Sequence, residues 1–155
     1  MTLIEKYCFN EKTGTYCDYN FVTGKKNEIV CAACFLPYYY GFAKDNGKIL
    51  RIYGALKTKR GIVSCQDTGD HNYQWGYPNI WAPHQYFAYV ALKNYGFIRE
   101  AEELRTGYTE LLSKVFEQTG KLWERYDENG VAEALEYSTQ EMLGWTAGVY
   151  TYFYE

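Results

Sequence analysis

The stretch PHQYFAYVALKNYGFIREAEELRTGYTELLSKVFEQTG, residues 83–120, contains two helix patterns of opposite character joined by a very short turn. Residues 83–95 lack a polar face, begin at a proline in the first-turn position and stop before Gly96, as helix ends favour. Residues 98–118 carry one apolar face, formed by Ala101, Leu104, Tyr108, Leu111 and Val115. The first pattern predicts a helix buried all round, and the second predicts a surface helix.

The same alternation extends along the chain in both directions. Residues 30–43 and 143–154 are apolar all round, whereas 46–58 are amphipathic, and TLIEKYC at the N-terminus is typical of the end of an outer helix. Antiparallel helical hairpins repeated at this spacing form solenoids or closed toroids, because each hairpin buries its apolar faces on its neighbours. We therefore expect an all-α array of antiparallel hairpins, an incomplete ring forming a single unit over residues 1–155.

The connections between the predicted helices differ in length. Inner helices pass to outer ones through two residues, KD after Ala43 and GF after Tyr95, whereas outer helices return through residues 9–29, 59–82 and 119–142. Because every long connection follows an outer helix, all three leave the array at one end. Loops of this length in a compact domain are usually functional, so the sequence predicts one functional rim.

Charge and hydrophobicity exclude two classes of partner. The 155 residues have a formal net charge of -3, which provides no basic patch for nucleic acid. The longest apolar run, residues 29–43, is shorter than the roughly 20 residues that span a bilayer and is interrupted by Pro37. The N-terminus has no basic region followed by an apolar core, so no signal peptide is visible and a cytoplasmic location is favoured.

The five cysteines offer one motif-like spacing, Cys31 and Cys34. These two lie in an apolar run without a second ligand pair or a nearby histidine. Buried free thiols are therefore favoured over a zinc or redox site. We expect no metal ion and no other cofactor.

The two longer return connections hold the residues suited to chemistry. Trp75 and Trp81 lie in the first, and Glu124 and Glu136 lie in the second. Rings interleaved with carboxylates and amides suit carbohydrate, because rings stack on sugar faces and acids transfer protons. The alternative interpretation is that the tryptophans are core residues and the carboxylates are exposed loop charges.

Four segments resemble the trehalases, in the same order and at the same spacing. Residues 61–96 contain QWGYPNIWAP and a helix ending in Tyr-Gly, which is similar to the Gln-Trp-Asp-x-Pro-x-Gly-Trp-x-Pro signature of that family. TGKLWERYD, EYSTQEMLGWTAGVY and GTYCDYNFVTGKK resemble three further family segments. Trehalases are inverting glycoside hydrolases built on an (α/α)6 toroid, so the resemblance implies that this chain forms about half of such a toroid.

The resemblance also implies roles for individual residues. Glu124 matches the family's general base, which activates water on the far side of the glycosidic bond. The positions matching substrate-binding residues or the aromatic wall are Glu136, Trp75, Trp81, Gln74 and Asn79. The implied reaction is hydrolysis of an α-glucosidic bond with inversion, and the implied partner is a small carbohydrate.

The chain departs from the family pattern at three points. Gly76 stands where the family has aspartate and Ile80 where it has glycine, which predicts a reshaped pocket and leaves the particular glucoside open. The family's general acid is an aspartate in Ser-Gly-Trp-Asp, and no tryptophan here is followed by aspartate. Since inverting hydrolysis needs an acid and a base, we expect a C-terminal fragment of a trehalase-like domain that is inactive by itself.

A second hypothesis assigns the chain to another class of protein. The same rim could belong to a non-catalytic helical module that binds carbohydrate or a protein partner. Under either hypothesis an open array exposes the apolar faces of its end helices, and such patches usually mark interfaces. We therefore expect self-association, or association with the missing N-terminal hairpins.

Overall fold

The computed structural model describes residues 3–133, 136–141 and 144–155. The described part is mainly helical, as predicted. Its α-helices are α1 (Leu3–Tyr7), α2 (Leu36–Tyr39), α3 (Ile49–Leu56), α4 (Ala82–Asn94), α5 (Ile98–Thr119) and α6 (Gly144–Tyr152), and a 3₁₀ turn over Ala32–Phe35 leads directly into α2.

Helix α4 is at the centre of the array. It packs against α2 on one side, α6 on another and α5 along its length. Helix α5 buries one face, which includes Leu104, Tyr108 and Leu111, and leaves the other to solvent. The predicted alternation of inner and outer helices is therefore confirmed for the second hairpin, whose boundaries differ from the prediction by one residue at each end.

The predicted continuous helix over residues 30–43 is wrong in its length. The 3₁₀ turn and α2 together occupy only 32–39, because Gly41 adopts a left-handed φ of 72° and stops the helix. The Phe42 N–H then donates to the Pro37 carbonyl at 2.7 Å, the backbone bond that closes a Schellman-type helix end.

Two other helices are also shorter than predicted. The outer helix expected over 46–58 is confined to Ile49–Leu56, because the next two residues leave it to form a strand. The last inner helix, expected over 143–154, runs from Gly144 to Tyr152, and position 143 lies outside the described residues.

Four small antiparallel sheets, which the sequence did not predict, lie in the described parts of the connections. Each has two strands of two residues: β1 (Phe9–Asn10) with β2 (Thr15–Tyr16), β3 (Tyr19–Asn20) with β4 (Lys25–Lys26), β5 (Lys57–Thr58) with β6 (Gly61–Ile62), and β7 (Ile80–Trp81) with β8 (Arg125–Tyr126). Three of the sheets are local hairpins. The fourth, β7 with β8, joins two connections that are far apart in sequence.

The first two hairpins share one turn motif, Asn-x-x-Thr-Gly, repeated ten residues apart. Asn10 and Asn20 each accept a hydrogen bond on the side-chain oxygen from the N–H two residues later, at 2.9 and 3.0 Å. Gly14 and Gly24 each have a φ of 68° and donate back to the asparagine carbonyl at 2.8 Å. The repeat is visible in the sequence, since asparagine and left-handed glycine are the usual residues of such turns.

One buried amide fastens the third hairpin to the central helix. Gln85, in the first turn of α4, is fully buried; its Oε1 accepts from the Ile62 N–H at 2.8 Å and its Nε2 donates to the Ile62 carbonyl at 2.9 Å. The same Nε2 donates to the Trp81 carbonyl at 3.0 Å. Gly61 fits here because a Cβ would lie 2.5 Å from Gln85 Oε1. Gln85 therefore holds β6 and β7 in fixed positions on α4.

The outer surface of the array retains apolar features. An open, mainly apolar cavity of about 380 Å³ lies between α5 and α6 and is lined by Leu112, Phe116, Leu122 and Tyr150 among others. Phe116 is half exposed at its edge. None of the described helices combines the length and apolarity that a bilayer crossing requires.

Candidate active site

The pairing of β7 with β8 brings the two chemically distinctive connections together. Ile80 lies opposite Tyr126 and Trp81 lies opposite Arg125. Glu124 immediately precedes β8, so the antiparallel register places it beside the start of α4. The prediction that these two connections meet at one rim is confirmed by this ladder. We call the group Gln74, Trp75, Trp81, Glu124, Arg125, Glu136 and Tyr137 the rim cluster.

Glu124 is held in a nearly closed environment. The residue is 5% exposed, and its backbone N–H donates to the Gln140 carbonyl at 3.1 Å. The Gln140 N–H returns a bond to Glu124 Oε1 at 3.2 Å. This reciprocal pair fixes the carboxylate relative to the segment that follows Tyr137.

Arg125 provides the second support of the carboxylate. Its side chain is fully buried; Nη1 donates to Glu124 Oε1 at 3.4 Å and Nη2 donates to the Tyr137 carbonyl at 2.6 Å. The guanidinium also lies 4.2 Å from the centre of the Tyr137 ring and 5.8 Å from that of Trp81. A buried cation with these contacts ties the base candidate to both aromatic neighbours.

Trp75 and Trp81 form a stacked indole pair. Their ring centres are 4.3 Å apart at an interplanar angle of 18°. Trp81 is 1% exposed and donates from Nε1 to the Gln74 carbonyl at 2.8 Å, whereas Trp75 is 50% exposed. Trp145 of α6 meets Trp81 edge-on at 5.6 Å. The pair therefore presents one open indole, Trp75, supported from behind by a buried one.

Gln74 and Glu136 link the two connections on the solvent side. The Gln74 N–H donates to Glu136 Oε2 at 2.6 Å, and the Tyr137 hydroxyl donates to Gln74 Oε1 at 2.8 Å. Burial, together with the neighbouring Glu124 carboxylate, raises the pKa of Tyr137. The phenol is therefore a stable hydrogen-bond donor at neutral pH.

Asn79 lies inside its own loop and is 1% exposed. Its Nδ2 donates to the carbonyls of Tyr73 and Gly76, both at 3.2 Å, while its Oδ1 is a buried acceptor with no donor among the described residues. In this structure the side chain shapes the turn that carries Trp75.

His84 lies beside Trp75, in the first turn of α4. Its ring centre is 5.4 Å from that of Trp75, and its Nδ1 is buried without a hydrogen-bond partner in the described part of the chain. Burial lowers the pKa of His84 to about 4. The imidazole is therefore neutral at pH 7 and adds no charge near Glu124.

The structure brings five of the six predicted site residues into the rim cluster and places Asn79 in the turn behind it. Sequence reasoning missed Arg125 and Tyr137, although each directly follows a predicted glutamate in the sequence. A charged residue next to a buried acid was the available signal, because buried acids need a cationic partner or several donors. No group of three or more histidine, cysteine or acidic side chains that could hold a metal ion occurs within residues 3–133, 136–141 and 144–155.

Comparisons with known sequences identify the family. A family model described as trehalase matches residues 1–155. A probable trehalase of Eremothecium gossypii is 33% identical in an alignment of 135 positions, which covers 80% of this chain and 18% of that protein. A periplasmic trehalase of Escherichia coli (strain SMS-3-5 / SECEC) is 32% identical in an alignment of 153 positions, which covers 94% of this chain and 26% of that protein.

Solved structures show the same fold. Neutral trehalase from Saccharomyces cerevisiae matches with a TM-score of 0.81 and 24% identity, over 97% of this chain and 28% of that one. A GH63 mannosylglycerate hydrolase from Thermus thermophilus, in complex with Tris and D-glycerate, matches with a TM-score of 0.72 and 18% identity. The match covers 96% of this chain and 36% of that one. The chain thus has part of an α/α-toroid fold and spans about a fifth to a quarter of the curated relatives.

Proposed function

The chain belongs to the trehalase family, and on that premise we propose that it carries the general base and one aromatic wall of an inverting glycoside hydrolase. Glu124 is the proposed base. The proposed substrate is an α-glucoside, bound against Trp75 and Gln74 with Glu136 nearby. The coarser assignment, a trehalase-like glycoside hydrolase segment, follows from family membership.

The observation that carries the proposal is the β7–β8 ladder. It pairs Trp81 with Arg125 and so puts an open indole stack and a buried carboxylate in one cluster, although the two segments are more than 40 positions apart in sequence. Loops that were only solvent-exposed connections would have no reason to share a sheet and a buried arginine. The arrangement supports a built site over a set of unrelated loop charges.

In the proposed reaction Glu124 removes a proton from water as that water attacks the anomeric carbon. A general base of this kind contributes about 10²- to 10⁴-fold to the rate. Arg125 and the Gln140 N–H both donate to the same carboxylate oxygen, so they set its direction. They act as positioning groups and take no part in proton transfer.

The indole pair supplies the sugar-facing surface in this proposal. Half of Trp75 is open to solvent, and an indole face of this kind stacks on the apolar side of a pyranose. Trp81 and Asn79 hold that face in position from inside the loop. Their direct contact with sugar, which the resemblance implies, stays a prediction.

We propose that the general acid comes from outside residues 1–155. No tryptophan in this sequence is followed by aspartate, whereas inverting hydrolysis requires an acid about 6.5–9.5 Å from the base. We therefore expect these residues alone to be inactive. Gly76 and Ile80, which replace the aspartate and glycine of the family signature, favour a glucoside whose shape differs from that of trehalose.

A chimera tests the proposal. Residues 1–155 replace the matching segment of the Escherichia coli periplasmic trehalase, and release of glucose from a panel of α-glucosides is measured. We expect activity, with β-glucose as the first anomer detected by proton NMR, because inversion at an α-linkage gives the β-anomer. Glu124→Gln should reduce turnover about 10²- to 10⁴-fold while leaving the circular dichroism spectrum unchanged.

The matched control is Glu117→Gln, which changes an exposed glutamate of α5 in the same way. Its activity should equal that of the unmodified chimera. A folded chimera in which Glu124→Gln keeps full turnover would contradict the role of this residue. A folded but inactive chimera that binds glucose in calorimetry would favour the non-catalytic carbohydrate-binding module.

One further expectation stays a proposal. Self-association, or association with the preceding hairpins, is supported by the apolar cavity between α5 and α6 and by half-exposed Phe116. Light scattering of the chain over a range of concentrations tests it, and a strictly monomeric species would count against it.

A further inference from the structure

Four of the five cysteines line one open cavity of about 320 Å³, on the side of the array formed by α1, the first hairpin and α2. They are Cys8, Cys17, Cys31 and Cys34. The fifth, Cys65, lies opposite Cys31 in an isolated antiparallel bridge. All five are free thiols. The cavity is separate from the rim cluster, and the proposed hydrolase does not use these residues.

The backbone around Cys31 and Cys65 has the geometry that a cross-strand disulfide needs. The Ala32 N–H donates to the Ser64 carbonyl at 2.8 Å, and the Gln66 N–H donates to the Val30 carbonyl at 2.9 Å. These bonds flank Cys31 and Cys65, so the two cysteines form a non-hydrogen-bonded pair. Such pairs have Cα atoms about 4.5 Å apart. Disulfides form when the Cα separation is about 4.4–6.8 Å. The expected separation therefore lies within the range that permits a disulfide.

The thiols differ in accessibility and in readiness to react. Cys31 and Cys65 are only partly buried, whereas Cys17 and Cys34 are buried. A hydrogen bond from the Cys34 thiol lowers the pKa of Cys31, and the Cys31 N–H in turn donates to Cys34 Sγ at 3.4 Å. Cys34 keeps its proton, because its hydrogen bonds to Cys17 and Cys31 and its burial raise its pKa.

Cys17 is the nearest competitor for reaction. Its pKa is lowered to about 6, chiefly by the hydrogen bond from Cys34. Its sulfur is nevertheless buried and lies within hydrogen-bond distance of the hydroxyls of Thr13 and Thr15, at 3.5 and 3.4 Å. The remaining neighbour, Cys34, is the thiol that keeps its proton. Accessibility and partner geometry therefore favour Cys31.

We propose that Cys31 and Cys65 form an intrachain disulfide when the protein meets a small-molecule disulfide such as oxidised glutathione. The Cys31 thiolate attacks one sulfur of the reagent, which forms a mixed disulfide and releases one thiol. The Cys65 thiol then gives up its proton and attacks Cys31 Sγ, which releases the second thiol. Two protein thiols and one reagent disulfide thus become one protein disulfide and two reagent thiols.

The bond would fasten the rim loop at its base. Cys65 stands near the start of the connection that carries Trp75 and Trp81. Gln66, next to Cys65, already accepts a hydrogen bond from the Val30 N–H at 3.0 Å. A covalent link here would join the start of that loop to the segment leading into α2.

Peptide mapping of the full chain tests the proposal directly. The reduced protein is incubated with oxidised glutathione, free thiols are blocked by alkylation, and peptides are analysed by mass spectrometry without reduction. We expect the number of free thiols to fall from five to three, with one linked peptide pair containing Cys31 and Cys65. Dithiothreitol should restore all five.

Two variants and a control sharpen the result. Cys65→Ser should stop at a stable glutathione adduct on Cys31, and Cys31→Ser should form neither the adduct at that site nor the bond. Cys8→Ser, which alters another cysteine of the same cavity, should form the bond normally. Persistence of five free thiols in the unsubstituted protein, or a linked pair containing Cys17 or Cys34, would overturn the proposal.

Discussion

The first long connection and the other two are built by different kinds of pairing. Residues 9–29 form two hairpins, β1–β2 and β3–β4, in which each strand pairs with a neighbour in sequence. The connections over 59–82 and 119–142 are joined by β7–β8, whose partners lie far apart in the chain. The first leaves Phe21 and Val22 in solvent, while the second buries Trp81 and Arg125.

The difference shows where the rim cluster obtains its rigidity. Each local hairpin is closed by its own turn, so we expect that its turn can be altered at little cost elsewhere. The β7–β8 ladder exists only when α4 positions one strand through Gln85 and Arg125 links the other strand to Tyr137. Substitutions should therefore cost more in the joined connections than in the local ones.

Arg125→Met should have the largest effect, because it removes the cation that links β8, Glu124 and Tyr137. Breaking a buried ion pair leaves an uncompensated charge, so the free energy of unfolding should fall by about 3–5 kcal/mol. Urea denaturation measures the change. Arg99→Met is the matched control, since Arg99 pairs with Glu100 while 89% exposed and should cost less than about 1 kcal/mol. Equal losses of unfolding free energy in the two variants would contradict the special role of the β7–β8 connection.

Gln85→Leu should come next, because leucine fills the space but cannot bond. The buried N–H and carbonyl of Ile62 and the carbonyl of Trp81 would lose their partner, at about 3 kcal/mol in total. Thermal unfolding checks the loss, with Gln118→Leu on the exposed face of α5 as control. A neutral result at Gln85 would show that β7 is held by β8 alone.

Buried His84 at the start of α4 should make the stability of the protein sensitive to acid. The unfolded chain binds a proton at this residue near pH 6.5, whereas the folded chain does so only near pH 4. Between these values the unfolded state holds more protons, so stability falls as pH is lowered, by about 2 kcal/mol across the interval. Urea unfolding at pH 7 and pH 4.5 should show this fall, and His84→Leu should remove that share of it.

The exposed histidine provides the control for the acid effect. His71→Leu should leave the fall in stability that His84 causes, because His71 is half exposed and contacts Asp67, 2.7 Å from its Nε2, on the loop surface. An unchanged pH dependence in His84→Leu would contradict the assignment.

The smallest effects should arise in the local hairpins. Gly24→Ala imposes a side chain at a φ of 68° with ample space around it, which should cost about 1 kcal/mol. Gly14→Ala has the same φ, but its Cβ would also lie 2.7 Å from Arg51 Nη1, so it should cost slightly more. Neither should alter the tryptophan bands of the near-ultraviolet circular dichroism spectrum. Loss of that signal would show that the two regions are coupled.

The sequence predicted the features that depend on local patterns and did not predict those that depend on pairing between distant segments. The periodicity of α4 and α5 predicted both helices to within one residue, because their patterns are long and end at glycine. Four family segments identified the predicted site residues. Neither source indicated β7 and β8, since two-residue strands carry no periodic signal and their partner is remote. Arg125 and Tyr137 were missed for the same reason, because their roles depend on that pairing.

The Asn-x-x-Thr-Gly turns were missed for another reason. Their residues stand in the sequence at a ten-residue spacing, and the turn chemistry they specify is local. Helical periodicity gives no signal for such turns. A search for turn signals within the long connections would have predicted both hairpins.

The stack of Trp75 on Trp81 also makes the site observable without a ligand. Two indoles 4.3 Å apart, with a third edge-on at 5.6 Å, couple their electronic excitations strongly. The resulting optical signature reports whether 59–82 and 119–142 are docked, because it depends on the placement of one ring against another. Assembly of the sugar-facing wall can thus be followed in real time with light alone, in a chain that is expected to turn over nothing by itself.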